Sequence, residues 1–162
     1  MKPLLSEYRN LVVLRTFSKW AGLAGLRIGA GAMDCRAQPR TMMGMKPPYN
    51  VNLAAEVALL ASLSDTGILL DRVDAIVKER GRMYRLLCEI PGITVWPSQA
   101  NFILCKMPDG RGLEVYEAMC RRGVFLRYFD NDLLRDYIRS SVGKPEETDA
   151  VVAGFRAALG VD

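Results

Sequence analysis

Apolar and polar positions change rhythm along this chain, and the change predicts its elements. Leu11-Val12-Val13-Leu14 is apolar on both faces, the pattern of a strand buried inside a parallel sheet, expected over residues 11–15. Glycines cluster from Gly22 to Gly31 around a second apolar run, residues 26–33, which reads as a tight turn and another strand. Lys46-Pro47-Pro48-Tyr49-Asn50 breaks the pattern. Asn52 is the candidate cap of an alanine-rich helix reaching about residue 64. A longer helix is expected over residues 68–89. Leu69, Val73, Ile76, Val77, Arg80, Met83, Tyr84 and Leu87 recur there at helical spacing, and Pro91-Gly92 ends it. Beyond that the pieces shorten. Strands are expected at 94–96, 102–106, 124–128 and 137–141, with helices over 113–122 and 146–159. Lys144-Pro145-Glu146-Glu147 puts proline and acids into the first turn of the last helix, where the missing N–H and the helix dipole favour them.

The pattern divides the chain in two. Residues 1–66 read as the end of a parallel α/β domain, and 67–162 as a compact α+β domain introduced by the long helix. Composition supports a folded chain, with 50% hydrophobic and 25% charged residues over 162 positions. The net charge of +4 is small and dispersed, without the basic cluster and interleaved aromatics of a nucleic-acid surface. The longest apolar stretch, 51–63, is interrupted by Asn52 and Glu56 and is too short to span a bilayer. The opening residues lack an apolar core of signal-peptide length, so cytoplasm is the expected compartment. The four cysteines, Cys35, Cys88, Cys105 and Cys120, have no metal-ligand spacing and are expected as buried free thiols. With no histidine in the chain, Ser/His and Cys/His nucleophile pairs are excluded and no mixed metal site is expected. Any catalysis here falls to lysine, arginine, tyrosine or carboxylates. Met42, Met43 and Met45 are expected as apolar filler.

The candidate chemistry lies in Thr16-Phe17-Ser18-Lys19-Trp20-Ala21-Gly22-Leu23-Ala24-Gly25-Leu26-Arg27. The Lys19 amine can condense with an aldehyde, and the Thr16 and Ser18 hydroxyls and the Arg27 guanidinium can bind a phosphate. Lys19 follows an apolar strand, where open α/β sheets bind ligands. Phe17 and Trp20 flank it and are expected to desolvate the amine and make it nucleophilic. This stretch resembles the pyridoxal-phosphate lysine segment of the fold-type I aminotransferases, and most closely their histidinol-phosphate branch. The resemblance implies that Lys19 attaches pyridoxal phosphate covalently and shuttles a proton, and that Thr16, Ser18 and Arg27 anchor the cofactor phosphate. It also implies the fold: the tail of the large parallel-sheet cofactor domain, then the small α+β C-terminal domain.

Other segments carry the same resemblance. Arg139-Ser140-Ser141-Val142-Gly143 is similar to the family's segment whose arginine binds the substrate carboxylate. Gly123-Val124-Phe125-Leu126-Arg127 resembles the place where the histidinol-phosphate branch has an arginine for the substrate phosphate. Ala100-Asn101-Phe102 and Lys46-Pro47-Pro48-Tyr49-Asn50-Val51 also match family segments, which makes Asn101 a candidate substrate contact and Tyr49 a candidate contact to a neighbouring subunit's site. A turn role for Asn101 and hinge packing for Tyr49 are equally compatible with the residues. The implied reaction moves an amino group between L-histidinol phosphate and 2-oxoglutarate, giving imidazole-acetol phosphate and glutamate, in a homodimer with neither nucleic acid nor membrane as partner. An aromatic or broad-range aminotransferase and a threonine-phosphate decarboxylase use nearly the same lysine segment.

The resemblance covers the second half of the family alone. The family's aspartate for the pyridinium nitrogen, its ring-stacking aromatic, its asparagine at the ring oxygen and its glycine-rich phosphate turn all precede the lysine strand, and residues 1–18 contain no counterpart. The ten aspartates of this chain all follow Lys19. The strand at 11–15 is therefore expected to leave edges and apolar faces open, as in a truncated product, a gene fragment or one part of a split protein. The alternative to an aminotransferase is an inactive fragment, with Lys19 a relic and residues 67–162 serving only as an interaction or dimerisation module.

Overall fold

In the computed structural model, which describes residues 2–34 and 39–161, the chain forms α1 (Lys2–Glu7), β1 (Val12–Thr16), β2 (Gly29–Met33), α2 (Pro39–Met45), α3 (Leu53–Ser64), α4 (Thr66–Cys88), β3 (Thr94–Trp96), β4 (Phe102–Lys106), α5 (Gly112–Arg121), β5 (Arg127–Tyr128), β6 (Tyr137–Ser141) and α6 (Pro145–Leu159). It divides into two units, Met1–Arg72 and Val73–Asp162, and the break falls inside α4.

In the first unit, β1 pairs antiparallel with β2, from Val12 opposite Met33 to Thr16 opposite Gly29. The buried, parallel-sheet setting expected for this strand is not found. Val12 and Leu14 are exposed, and among the described residues β2 is the strand that pairs with β1. Gly29 is required by space, because a Cβ there would stand 2.7 Å from the Arg15 carbonyl oxygen across the ribbon. Asn52 caps α3 as its position predicts, its Oδ1 accepting the Ala55 N–H at 2.8 Å. Much of α3 is uncovered within this unit: Leu53, Val57, Leu60 and Leu63 are exposed, as are Met42, Met43 and Met45 of α2. The three methionines are thus surface residues rather than filler.

The second unit holds a core of Met83, Leu87, Ile90, Ile103, Cys105, Met107, Val115, Met119, Ile138, Val142, Val151 and Phe155. Its sheet is antiparallel throughout, in the order β3-β4-β6-β5. Alternation is strict on the central strands: Ile103, Cys105, Ile138 and Ser140 are buried, while Phe102, Leu104, Tyr137 and Arg139 lie on the other face and are half-buried. Helices α5 and α6 pack at close range. A Cβ on Gly154 would meet Met119 Sδ at 2.6 Å. The start of α6 is fixed by Pro145 and by the Glu147 carboxylate, which accepts the Lys144 N–H at 2.7 Å. Arg82 ties α4 to α6. It pairs with Glu79 at 3.0 Å and with Asp149 at 2.8 Å, and donates to the Pro145 carbonyl at 2.7 Å. These charged hydrogen bonds hold the Arg82 guanidinium above its ordinary pKa, the Asp149 bond contributing most. The strand expected over 124–128 shortens to Arg127–Tyr128, since Val124 instead donates its N–H to the Met119 carbonyl at the end of α5.

The thiols differ from one another. Cys105 is buried, Cys120 half-buried and Cys88 exposed, and Cys35 lies outside the described residues. Uniform burial is thus corrected at Cys88, on the solvent side of the last turn of α4. Burial, with a smaller contribution from Cys88, pushes the Cys105 thiol up to about 12. A thiol whose pKa is raised by folding contributes stability that is complete below its unfolded pKa of 9.0 and is lost as pH climbs from there toward about 12. Iodoacetamide at pH 8 is expected to alkylate Cys88 in the folded chain and to reach Cys105 after unfolding, as read by peptide mass spectrometry. Equal labelling of the two before unfolding would contradict this placement.

Candidate active site

The lysine loop is built by the β1–β2 ribbon. As β1 ends, Thr16 and Ser18 join in a short turn: the Ser18 N–H donates to Thr16 Oγ1 at 3.0 Å, and Thr16 Oγ1–H donates to Ser18 Oγ at 2.7 Å. Both Thr16 hydrogen-bonding roles are used locally, and the Ser18 O–H is left as a donor. Lys19 begins the next turn, its carbonyl accepting the Gly22 N–H at 3.1 Å. Gly22 has φ +70°, a left-handed conformation that glycine takes without steric cost. The loop closes through the Leu23 N–H to the Phe17 carbonyl and returns through a 3-10 turn, Ala24–Leu26.

Arg27 follows with φ +56°. Left-handed backbone is uncommon at a non-glycine residue and concentrates at functional sites. Arg27 Nη1 donates to the Ala24 carbonyl at 2.9 Å, which uses one of its five N–H groups. Asn52 steadies the loop from outside: while Oδ1 caps α3, Nδ2 donates to the Leu26 carbonyl at 3.2 Å. The Asn52 cap has a local sequence signal, whereas this second bond depends on the tertiary approach of a residue 26 positions away.

Thr16, Lys19 and Arg27 are exposed and Ser18 is half-buried. The desolvation expected of Lys19 is absent, because Phe17 and Trp20 pack on each other, ring centroids 5.7 Å apart, instead of covering the amine. An amine, a free hydroxyl donor and a guanidinium with unused N–H groups thus share one loop. That donor set fits the aldehyde and phosphate ends of a phosphorylated aldehyde such as pyridoxal phosphate. Tyr49, between α2 and α3, is 96% exposed and takes no part in the loop.

The second cluster lies on the sheet face of the other unit that is turned away from its helices. Arg127 on β5 is the register partner of Arg139 on β6. Directly opposite residues have Cβ atoms about 4.5–5.5 Å apart, and like charges there are destabilising. Neither arginine forms an ion pair among the described residues. Arg139 Nε is buried without a hydrogen-bond partner among them. Buried N–H groups are almost always paired, so an unpaired guanidinium N–H with a second arginine as its register partner is a donor set suited to an anion. Aromatic rings complete the cluster: Phe102 is 4.9 Å from the Arg139 guanidinium, and Phe129 is 5.9 Å from that of Arg139 and 5.4 Å from that of Arg127. Asn101 is exposed beside Phe102, and its carbonyl accepts the Val142 N–H at 2.9 Å, so its backbone serves the sheet edge. Phe129 was not visible as a site residue in the sequence, where no motif marks it. No group of three or more Cys, Asp or Glu among the described residues is placed to hold a metal ion, and no single helix among them is long and apolar enough to cross a membrane.

These two clusters stand on a fold with known counterparts. The chain is 51% identical to the histidinol-phosphate aminotransferase of Roseiflexus castenholzii over 152 residues, covering 92% of this chain and 41% of that enzyme. The crystal structure of the histidinol-phosphate aminotransferase from Clostridium acetobutylicum superposes with a TM-score of 0.86 at 22% identity, over 99% of this chain and 49% of that one. The Sinorhizobium meliloti histidinol-phosphate aminotransferase, solved in complex with pyridoxal-5'-phosphate, superposes with a TM-score of 0.76 at 25% identity, over 94% and 42%. The chain therefore spans less than half the length of each of these relatives. Its architecture is that of fold-type I aminotransferases, taken in part. The family profile for aminotransferase class I and II matches residues 2–155, nearly the whole sequence, and the chain belongs to that family.

Proposed function

We propose that this chain provides the lysine-bearing loop and the substrate-anion face of a pyridoxal-phosphate-dependent histidinol-phosphate aminotransferase. The reaction would be L-histidinol phosphate with 2-oxoglutarate to imidazole-acetol phosphate and glutamate. The observation that carries the reading is Arg127 opposite Arg139 with the buried Arg139 Nε unpaired. The name of the relative at 51% identity supports the choice of substrate. The enzyme would work as a cytoplasmic homodimer together with ring-binding residues of the family that residues 1–18 do not supply. The exposed apolar positions of β1 and α3 are the surface such a partner segment would cover.

In this reading the Ser18 hydroxyl and the spare Arg27 N–H groups hold the cofactor phosphate, and Thr16 orients Ser18. When bound, the cofactor supplies an electron sink for the α-carbon. Lys19 Nζ would hold the cofactor covalently, and the same amine would carry the proton to and from the α-carbon. Being exposed in this chain, the amine depends on bound ligand and partner residues to exclude water. Arg127 and Arg139 bind the substrate's anionic group through charge-assisted hydrogen bonds, each worth about 1.5–3 kcal/mol. The two rings beside them limit the water that competes for those bonds.

The test is calorimetric titration of the full chain with L-histidinol phosphate and, in parallel, L-histidinol. The phosphorylated compound is expected to bind at least about tenfold tighter, and both Arg127→Ala and Arg139→Ala to remove most of that preference. Neither substitution is expected to cost more than about 1 kcal/mol of stability, since each relieves a like-charge pair while giving up aromatic contacts, one at Arg127 and two at Arg139. Equal binding of the two compounds by the unsubstituted chain would sink the reading.

A further inference from the structure

We propose that Phe129 is a positioning residue: its ring holds Arg127 and Arg139 side by side, so that both guanidiniums are set for an anion before it arrives. The inference rests on the anion reading of the Arg127–Arg139 pair and adds what keeps that pair in place.

Two guanidiniums on register-paired residues repel, and long side chains on a sheet face ordinarily turn away from each other into water. Among the described residues neither is ion-paired with a carboxylate that would oppose the repulsion. Asp130 and Asp132 follow Phe129 closely in sequence but are exposed and form no ion pair with either arginine. What the arginines share is the Phe129 ring, 5.4 Å from one guanidinium and 5.9 Å from the other. A ring face attracts a cation through its quadrupole, and one ring within reach of two cations attracts both. Phe102 adds a contact to Arg139 alone, at 4.9 Å, so it cannot set the spacing of the pair.

The backbone fixes where the ring stands. β5 ends at Tyr128, and Phe129 leads into a turn locked by Asn131. The Asn131 N–H donates to the Phe129 carbonyl at 3.0 Å, and Asn131 Oδ1 accepts the N–H groups of Leu133 and Leu134 at 3.1 and 3.0 Å. The turn is anchored at its far end by the Met107 N–H, which donates to the Asp136 carbonyl at 2.8 Å. Phe129 is half-buried. A ring held in this way lets the anion meet two arginines that need little further ordering, the general source of preorganised affinity.

The experiment uses the full chain labelled with ¹⁵N-arginine and titrated with inorganic phosphate. The Nε–Hε signals of Arg127 and Arg139 are assigned from Arg127→Lys and Arg139→Lys, which separates this site from any phosphate bound near Arg27. Phe129→Leu keeps apolar volume and removes the ring. It is expected to raise the phosphate concentration at half-saturation about tenfold, the loss of two cation–π contacts. It should also move both signals in the phosphate-free chain, because the ring current is gone. Phe129→Tyr, which keeps the ring, is expected to stay within about twofold of the unsubstituted chain. If Phe129→Leu matches the unsubstituted chain in both readouts, the positioning role is wrong while the anion site stands. The same holds if Phe129→Tyr is as weak as leucine. If phosphate moves neither arginine signal in the unsubstituted chain, the anion reading fails and this inference fails with it.

Discussion

Replacing Phe155 with alanine is expected to lower the stability of the chain by about 3–5 kcal/mol. Phe155 is fully buried on α6 and is the largest side chain in the core of the second unit. Its loss removes apolar burial and leaves a cavity that the neighbours cannot readily fill. α5 and α6 are already as close as Gly154 and Met119 permit, and the sheet beneath is fixed by ladders on both sides of β6. A urea titration followed by tryptophan fluorescence or circular dichroism would show a large fall in midpoint with little change in slope. Leu133→Ala is the control: Leu133 is 87% exposed, and its truncation should change the midpoint little. A Phe155→Ala chain as stable as its parent would mean that the core is not centred where the fold places it.

Lys19→Ala is expected to abolish borohydride-fixed attachment of pyridoxal phosphate at the lysine loop, while reversible binding through Ser18 and Arg27 persists in weakened form. Lys19 is the single amine between Thr16 and Arg27; the remaining lysines, Lys2, Lys46, Lys78, Lys106 and Lys144, lie elsewhere in the sequence. Arg27→Ala is expected to act the other way. It leaves the amine in place and removes the phosphate fork, so attachment becomes slow and spreads to other lysines. The substitutions separate the covalent role from the holding role, which loss of activity alone would not. Both positions are exposed, so neither change should lower the melting temperature appreciably.

The helices of the second unit were legible in the sequence because their signals are local. The Leu69–Leu87 stripe became α4, displaced by one or two residues at its ends, and Lys144-Pro145-Glu146-Glu147 began α6 as the charges and the proline required. The long helix also carries a buried Glu79 that periodicity does not anticipate, tolerated because Arg82 pairs with it. The strands were less legible. An apolar run reports what a strand can bury but not its partner, so residues 11–14 suggested burial where β1 is exposed in an antiparallel ribbon. α1 and α2 are short helices, of six and seven residues, too short for a periodic stripe to mark them in the sequence.

The site divides in the same way. The lysine loop is contiguous, so Thr16, Ser18, Lys19 and Arg27 could be named together from the sequence. That Arg127 and Arg139 face each other depends on the register of β5 against β6, which no local pattern encodes. The Phe129 ring joins them through a turn held by Asn131, and the Asn52 tie to the lysine loop bridges 26 residues.

The most direct measurement is to mix the purified chain with pyridoxal phosphate, reduce with borohydride and map the adduct by peptide mass spectrometry. One dominant adduct is expected, on the peptide that carries Lys19, and it should disappear in Lys19→Ala. Adducts scattered over the other lysines, or none, would contradict the claim that this chain bears the cofactor-attaching loop of an aminotransferase.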